Sequence, residues 1–263
     1  MSQVSHNVGK DAVLHKENFS GADGIRALAC LAVIGHHAFQ RLDYFTMPVF
    51  MQEIQSFFLR GSSGVSAFFV LSGFLLSYPF WKAYLNGGTF PQIKKYIVRR
   101  AARIMPGYYA AFFVGLFLAV LYLPRFEYFW RRLFTGLTFT SGFHYSTLFP
   151  TDWLNSPLWS ISFEVFCYLL MPLFMAVLFR CTGKTRSFKK AIIFWLGVVA
   201  FILVVNQLIH FYLTPDVINR GWEFGVAGGS KWWMPNYNPV GFFGHFAMGI
   251  IASGVMIRLT RPS

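Results

Sequence analysis

The chain has 263 residues, of which 55% are hydrophobic and 20% aromatic, whereas only 13% are charged. About a quarter of the residues in a soluble domain are charged, so this composition excludes an ordinary water-soluble fold. The net charge of +13 could favour a nucleic acid as partner, but the basic residues border hydrophobic blocks and do not alternate with aromatic residues in a soluble module. We therefore expect a membrane protein with no nucleic-acid partner and with basic loops that set its orientation.

Seven hydrophobic blocks of 16 to 23 residues follow one another along the chain. About 20 apolar residues in a helix span the hydrocarbon core of a bilayer, so blocks of this length predict transmembrane helices. The blocks are residues 24–39, 63–80, 104–123, 133–149, 157–179, 191–213 and 239–257. The predicted fold is an all-α, polytopic transmembrane bundle over residues 21–263, preceded by a polar cytoplasmic tail at residues 1–20.

The fourth block, residues 133–149, is predicted not to cross the membrane. Residues 82–103 carry six basic side chains and no acid, and residues 180–190 carry five and no acid, so both segments should be cytoplasmic. An even number of crossings must then separate them, yet three blocks do. The fourth block is the most polar of the three and is predicted to be re-entrant or interfacial, which leaves about six crossings. The loops at residues 41–62 and 214–238 then lie outside.

The first block contains ionisable residues, which cost several kcal/mol in a membrane unless they face a partner or a watery cavity. Arg26 and His37 are eleven residues apart, which brings them to within about 20° on a helix, whereas His36 points about 80° away. Asp23 precedes Arg26 by three residues, a spacing at which helical side chains can pair. Either Arg26 and His37 form a functional face, or an Asp-Arg clamp accompanies an incidental histidine pair.

The second block carries small residues on one helical face. Ser62, Ser66, Gly73 and Ser77 fall within about 60° of one another, a stripe that permits close helix packing. Ser72 and Gly73 could instead expose backbone beside a ligand. Both interpretations stay open on the sequence.

The fifth block has one polar face, formed by Ser160, Glu164 and Tyr168 at intervals of four residues. With the predicted orientation of the chain in the membrane, Glu164 lies at the same depth in the bilayer as His37. A carboxylate there could orient the imidazole or stabilise its charge. The alternative is a hydrogen-bonded structural glutamate.

Three arginines, Arg99, Arg100 and Arg103, lie where the predicted cytoplasmic loop enters the third block. Basic residues in this place are often topology signals. Arg100 and Arg103 also share a helical face, which suits recognition of a polyphosphate.

Around these residues the chain resembles the acyltransferase-3 family, membrane enzymes that O-acylate cell-surface glycans, exopolysaccharides and some secondary metabolites. Four segments carry the resemblance in order. They are "DGIRALACLAVIGHH" at 23–37, "GVSAFFVLSGFLLS" at 64–77, "VRRAARIMPGYY" at 98–109 and "PLWSISFEVFCYLLMPL" at 157–173.

The resemblance implies that Arg26 and His37 are the family's paired Arg and His, that Arg100 and Arg103 are its cytoplasmic arginines, and that Glu164 is its glutamate. Relatives often have Val-Glu-Glu-Gln where this chain has Phe-Glu-Val-Phe at residues 163–166, so a second acid or amide is absent.

The implied reaction moves an acyl group, expected to be acetyl, from acyl-CoA to a hydroxyl of a carbohydrate acceptor, without a metal. His37 would act as general base or carry the acyl group, and Arg26 and Glu164 would set its position and charge. Arg100 and Arg103, together with Ser72 and Gly73, would bind the donor.

Family members usually have about ten helices, so the resemblance also predicts a domain truncated at its carboxy terminus. The expected location is the inner membrane of a bacterium. Two alternatives stay open: a proton-coupled transporter, because buried Asp, Arg, His and Glu also build proton relays, and an inactive truncated family member.

Overall fold

The computed structural model describes residues 20–40, 42–123, 126–144, 146–153, 155–183, 185–213 and 238–260. The predicted tail at residues 1–20 and outer loop at residues 214–238 therefore lie almost wholly outside the described residues. Within them the chain forms eight α-helices. These are α1 (Ser20–Phe39), α2 (Val49–Leu59), α3 (Ser63–Leu85), α4 (Ile93–Tyr122), α5 (Phe129–Leu137), α6 (Trp159–Thr182), α7 (Phe188–Leu213) and α8 (Pro239–Thr260).

The long helices confirm the predicted polytopic bundle. Five helical segments of the described chain are long and apolar enough to cross a membrane: α2 with α3, then α4, α6, α7 and α8. Helix α1, with 20 residues, is not among these five and carries four ionisable side chains. Large apolar side chains such as Phe117 on α4 and Leu203 on α7 are exposed on the bundle surface, where lipid would cover them. The chain is an integral membrane protein.

The segment at residues 133–149 does not form a spanning helix, as predicted. Helix α5 has nine residues, about 14 Å at 1.5 Å per residue, less than half of the roughly 30 Å of a hydrocarbon core. The chain then continues through a short 3-10 turn, Ser141–Phe143, to a short β-strand, Pro150–Trp153.

A buried ion pair holds this irregular segment against the bundle. A guanidinium nitrogen of Arg132 lies 3.3 Å from an Asp152 carboxylate oxygen, and Arg132 also donates to the Phe149 carbonyl. Burial lowers the pKa of Arg132 and the Asp152 carboxylate opposes this shift; an arginine remains charged in either case. Irregular backbone at membrane depth needs such protein partners because lipid offers it none.

Helix α3 is the central helix and packs closely on α8. A side-chain carbon added to Gly73 would lie 2.0 Å from the Phe246 carbonyl oxygen, and one added to Gly249 would lie 1.9 Å from that of Val70. The indole nitrogen of Trp81 donates to the Ile250 carbonyl at 2.8 Å. Of the two roles left open for Gly73, the structure therefore supports packing, because the α8 backbone occupies the space that a ligand would need.

Candidate active site

Helices α1, α3, α6 and α8 surround a cavity of about 670 Å³, which we call the histidine cavity. Its polar lining brings together groups that can accept or donate a proton. Among them are His36, His37, Ser66, Ser160, Glu164 and His245. Apolar side chains, among them Phe69, Trp159 and Phe242, complete the wall.

His37 and Glu164 line the same cavity, as the predicted pairing of the two residues requires. His37 lies two residues before the end of α1, and Glu164 lies five residues after the start of α6. The Glu164 carboxylate accepts hydrogen bonds from the Tyr168 hydroxyl, one turn along the helix, and from the Ser72 hydroxyl of α3 at 3.3 Å. The predicted polar face of the fifth block is therefore real, and Ser72 joins it from another helix.

Two further histidines line the cavity and were not assigned to it from the sequence. His36, which the helical wheel places about 80° from Arg26, lines the cavity together with His37, because the wall is wide enough to include both rings, whose centroids are 5.1 Å apart. A ring nitrogen of His36 lies 2.8 Å from the Leu59 carbonyl oxygen. His245, on α8, is a lone ionisable residue in an apolar block, a signal that the sequence interpretation did not use.

Arg26 forms the predicted pair with Asp23, at 2.9 Å, but it does not line the histidine cavity. Eleven residues of helix separate Arg26 from His37 by about 16 Å along the axis. The two side chains share a face but not a depth, so Arg26 does not contact His37 directly. A helical wheel gives the angle between two side chains and not their separation along the axis.

A second cavity of about 410 Å³ lies between α3 and the start of α4. Three cationic side chains, Lys95, Arg99 and Arg100, line it beside Tyr96, so we call it the basic cavity. Arg103, which was predicted to act with Arg100, lies one turn further along α4 and is exposed, outside this lining. Lys95 was missed, although its spacing of four residues from Arg99 places both on one helical face.

Ser72 and Gly73, predicted to contact the donor, line neither cavity. Ser72 bonds to Glu164 and Gly73 packs on α8. Among the described residues, no group of three or more His, Cys, Asp or Glu side chains is placed to hold a metal ion.

Comparison with known proteins identifies the family to which this site belongs. Residues 19–258 match the Acyl_transf_3 family, described as an acyltransferase domain. The peptidoglycan O-acetyltransferase OatA of Listeria monocytogenes is 28% identical over 179 residues, which cover 65% of this chain and 26% of that protein. A Bacillus subtilis protein named "Putative peptidoglycan O-acetyltransferase YrhL" is 29% identical over 171 residues, which cover 62% of this chain and 24% of that protein.

The matched region spans about a quarter of the length of these two relatives. No solved structure matches the chain significantly. The match to the family covers nearly the whole chain, including both cavities and the helices that form them. The chain belongs to the acyltransferase domain family Acyl_transf_3.

Proposed function

We propose that this protein is a membrane acyltransferase that moves an acetyl group from acetyl-CoA to a hydroxyl of a carbohydrate. The observation that carries the proposal is the pairing of two different cavities along α3. One holds histidines and a carboxylate, and the other holds three cations. A donor with a polyphosphate at one end and a reactive thioester at the other matches such a pair.

The basic cavity is the proposed site for the phosphates of the donor. Lys95, Arg99 and Arg100 line it together, and charge-assisted hydrogen bonds from such side chains to phosphate oxygens are among the strong polar interactions in proteins. Because the segment at residues 82–103 is predicted to be cytoplasmic, the donor would enter from the cytoplasm.

The histidine cavity is the proposed site of transfer. The acceptor hydroxyl oxygen attacks the thioester carbonyl carbon, the carbon–sulfur bond breaks, and the hydroxyl proton passes to the His37 ring and from there to the departing thiolate sulfur. The Glu164 carboxylate would favour the charged imidazolium that forms during this step. Attack by His37 itself, through an acyl-imidazole, is the other route, and it places the same residue at the reacting carbon.

The names of two relatives support a carbohydrate acceptor. Both names specify peptidoglycan O-acetylation, so glycan strands of peptidoglycan are the first acceptors to test. A donor in the cytoplasm and an acceptor outside would place the protein in the inner membrane of a bacterium.

The test uses the full chain in liposomes, with radiolabelled acetyl-CoA inside and soluble glycan fragments outside. We expect label on the glycan. His37→Ala should lower the rate by about 100-fold or more, the usual contribution of a general base, and His36→Ala should lower it less, because that ring is bonded to the Leu59 carbonyl. Proton flux without consumption of acetyl-CoA would contradict the proposal and favour a transporter.

A further inference from the structure

His245 is the ionisable residue that α8 adds to the histidine cavity, and it takes no part in the proposed transfer step at His37. It follows Phe242 by three residues, and both line the cavity, so one face of α8 forms this part of the wall. Ionisable residues within a membrane are costly unless they face a partner or a polar cavity. Its place in the wall therefore makes His245 a candidate for contact with a substrate.

Glu164 and His245 lie at nearly the same level in the bundle. Two ring contacts between α6 and α8 enclose them along the helices: Phe163–Phe242, with centroids 5.5 Å apart, and Tyr168–Phe246, with centroids 6.1 Å apart. The enclosed stretch corresponds to about 6–8 Å of helix, and both residues line the histidine cavity. A group in this part of the cavity can therefore meet a carboxylate from one helix and an imidazole from the other.

Both residues lie at the end of the histidine cavity that is nearer to the basic cavity. The Ser72 hydroxyl donates to the Glu164 carboxylate at 3.3 Å. The next residue of α3, Gly73, lies against the Phe246 carbonyl, beside His245. The lining of the basic cavity begins within one turn of these residues along α3. A donor that extends from the basic cavity into the histidine cavity therefore passes Glu164 and His245 first.

His37 lies further along the same path. Its neighbour His36 is bonded to the carbonyl of Leu59, which precedes the start of α3, whereas Glu164 is bonded to Ser72 within that helix. With the phosphates in the basic cavity and the thioester at His37, the part of the donor beside Glu164 is the pantetheine arm. That arm carries two secondary amides, each with an N–H donor and a carbonyl acceptor.

Glu164 and His245 can satisfy the hydrogen-bonding groups of such an arm. The Tyr168 and Ser72 hydroxyls both donate to Oε1 of Glu164, so within the described part of the chain Oε2 has no hydrogen-bond partner. This oxygen can accept a hydrogen bond from an amide N–H, and an imidazole can donate to an amide carbonyl or accept from an amide N–H. An amide that is buried without a partner is unfavourable, so these contacts would favour entry of the arm.

We propose that Glu164 and His245 bind the amide groups of the donor's pantetheine arm as it passes from the basic cavity to His37. The inference rests on the proposed function and adds to it a second binding site for the donor. The cations of the basic cavity recognise its phosphates, and this site recognises its arm. The donor class is therefore a thioester on an amide-bearing arm.

The test compares acetyl-CoA with an analogue in which the two arm amides are replaced by ethylene units, with the full chain in liposomes. Both donors keep the phosphates and the thioester. The wild-type protein should use the analogue with a kcat/KM lower by about tenfold or more, the scale of one or two lost hydrogen bonds. His245→Ala should lower kcat/KM for acetyl-CoA by about fivefold or more and that for the analogue less, because the analogue has no amide for the ring to bind.

Two further variants define the role of the ring. His245→Gln, whose side-chain amide can also donate and accept, should keep part of the preference for acetyl-CoA over the analogue. His144→Ala is the matched control, because it removes a histidine that lines neither cavity. It should change the use of the two donors by the same factor. If His245→Ala does not fold, the comparison of the two donors in the wild-type protein and in His245→Gln still decides.

The results separate the two proposals. An active wild-type protein that uses both donors equally well, or an equal loss for both donors in His245→Ala, would overturn the arm site and leave the proposed function intact. No turnover of acetyl-CoA by the wild-type protein would overturn the proposed function, and the arm site with it.

Discussion

Single residues show how much a change of one position along a helix matters in this protein. Arg99 and Arg100 line the basic cavity, whereas Arg103 on the next turn does not, and Lys94 is exposed beside Lys95, which does line it. All of these cations contribute equally to the positive charge that sets the orientation of the protein in the membrane. Only the cations in the cavity can contact a bound phosphate. Substitutions of neighbouring cations should therefore differ sharply in their effect on the KM for the donor.

Removal of a cation from the basic cavity should weaken use of the donor through its KM. Arg99→Ala should raise KM for acetyl-CoA by about 10-fold or more, because a hydrogen bond to a charged group contributes about 1.5–3 kcal/mol. Arg103→Ala should raise it less. Lys94→Ala removes the same charge from the first turn of the same helix and serves as the control. Initial rates over a range of donor concentrations provide the measurement, and equal effects of Arg99→Ala and Lys94→Ala would contradict a phosphate site.

At the scale of elements, the pair α3 and α8 fixes the position of the site. Helix α3 contributes lining to both cavities and α8 contributes His245 to one of them. The two backbones approach so closely that glycine is required at Gly73 and Gly249. In contrast, Gly197 on α7 has no neighbouring atom within 4 Å of an added side-chain carbon.

The same substitution should therefore have opposite effects on α8 and on α7. Gly249→Ala should destabilise the protein by about 1–3 kcal/mol, the usual cost of overpacking, because the Val70 carbonyl is backbone and cannot rotate away. Gly197→Ala should be neutral or stabilising, because alanine favours the helix by about 0.5–1 kcal/mol over glycine. The Tm of the detergent-solubilised protein distinguishes them. A loss of Tm in both variants would point to a general intolerance of added methyl groups.

At the scale of the whole molecule, the position of the α5 region relative to the membrane determines on which side each cavity opens. Helix α5 is too short to cross, so α4 and α6 should meet on the same side of the bilayer. The positive-inside rule then predicts that the basic segments at residues 82–103 and 180–190 both face the cytoplasm and that the histidine cavity opens outside. A crossing at α5 would reverse the second of these segments against the positive-inside rule.

Cysteine labelling in intact cells tests this arrangement. In a variant without native cysteines, cysteines at the exposed positions Glu127 and Pro157 should both react with an impermeant maleimide applied outside. In a variant that retains only Cys181, which is exposed within the second basic segment, labelling should require permeabilised cells. If Pro157→Cys reacts only from the inside while Glu127→Cys reacts from the outside, the α5 region crosses the membrane, and the histidine cavity, which Pro157 lines, faces the cytoplasm.

Much of the fold could be predicted from the sequence because it depends on interactions between near neighbours in the chain. Apolar blocks long enough to span lipid predict the helices, and the polar fourth block with its flanking charges predicts a segment that does not cross. The pair Asp23–Arg26 and the bond between Glu164 and Tyr168 also follow from spacings of three and four residues.

The tertiary structure alone decided which of these features form a site. Whether a residue lines a cavity depends on its depth and on the helix that packs opposite, and neither quantity is contained in the periodicity of one helix. For that reason the sequence puts Arg26 and His37 on one face without their separation along the helix, gives no role to His245, and leaves the role of Gly73 open although α8 lies against it. The sequence by itself determined the helices and the polar face of each helix. The packing of α1, α3, α6 and α8 against one another decided which polar faces meet.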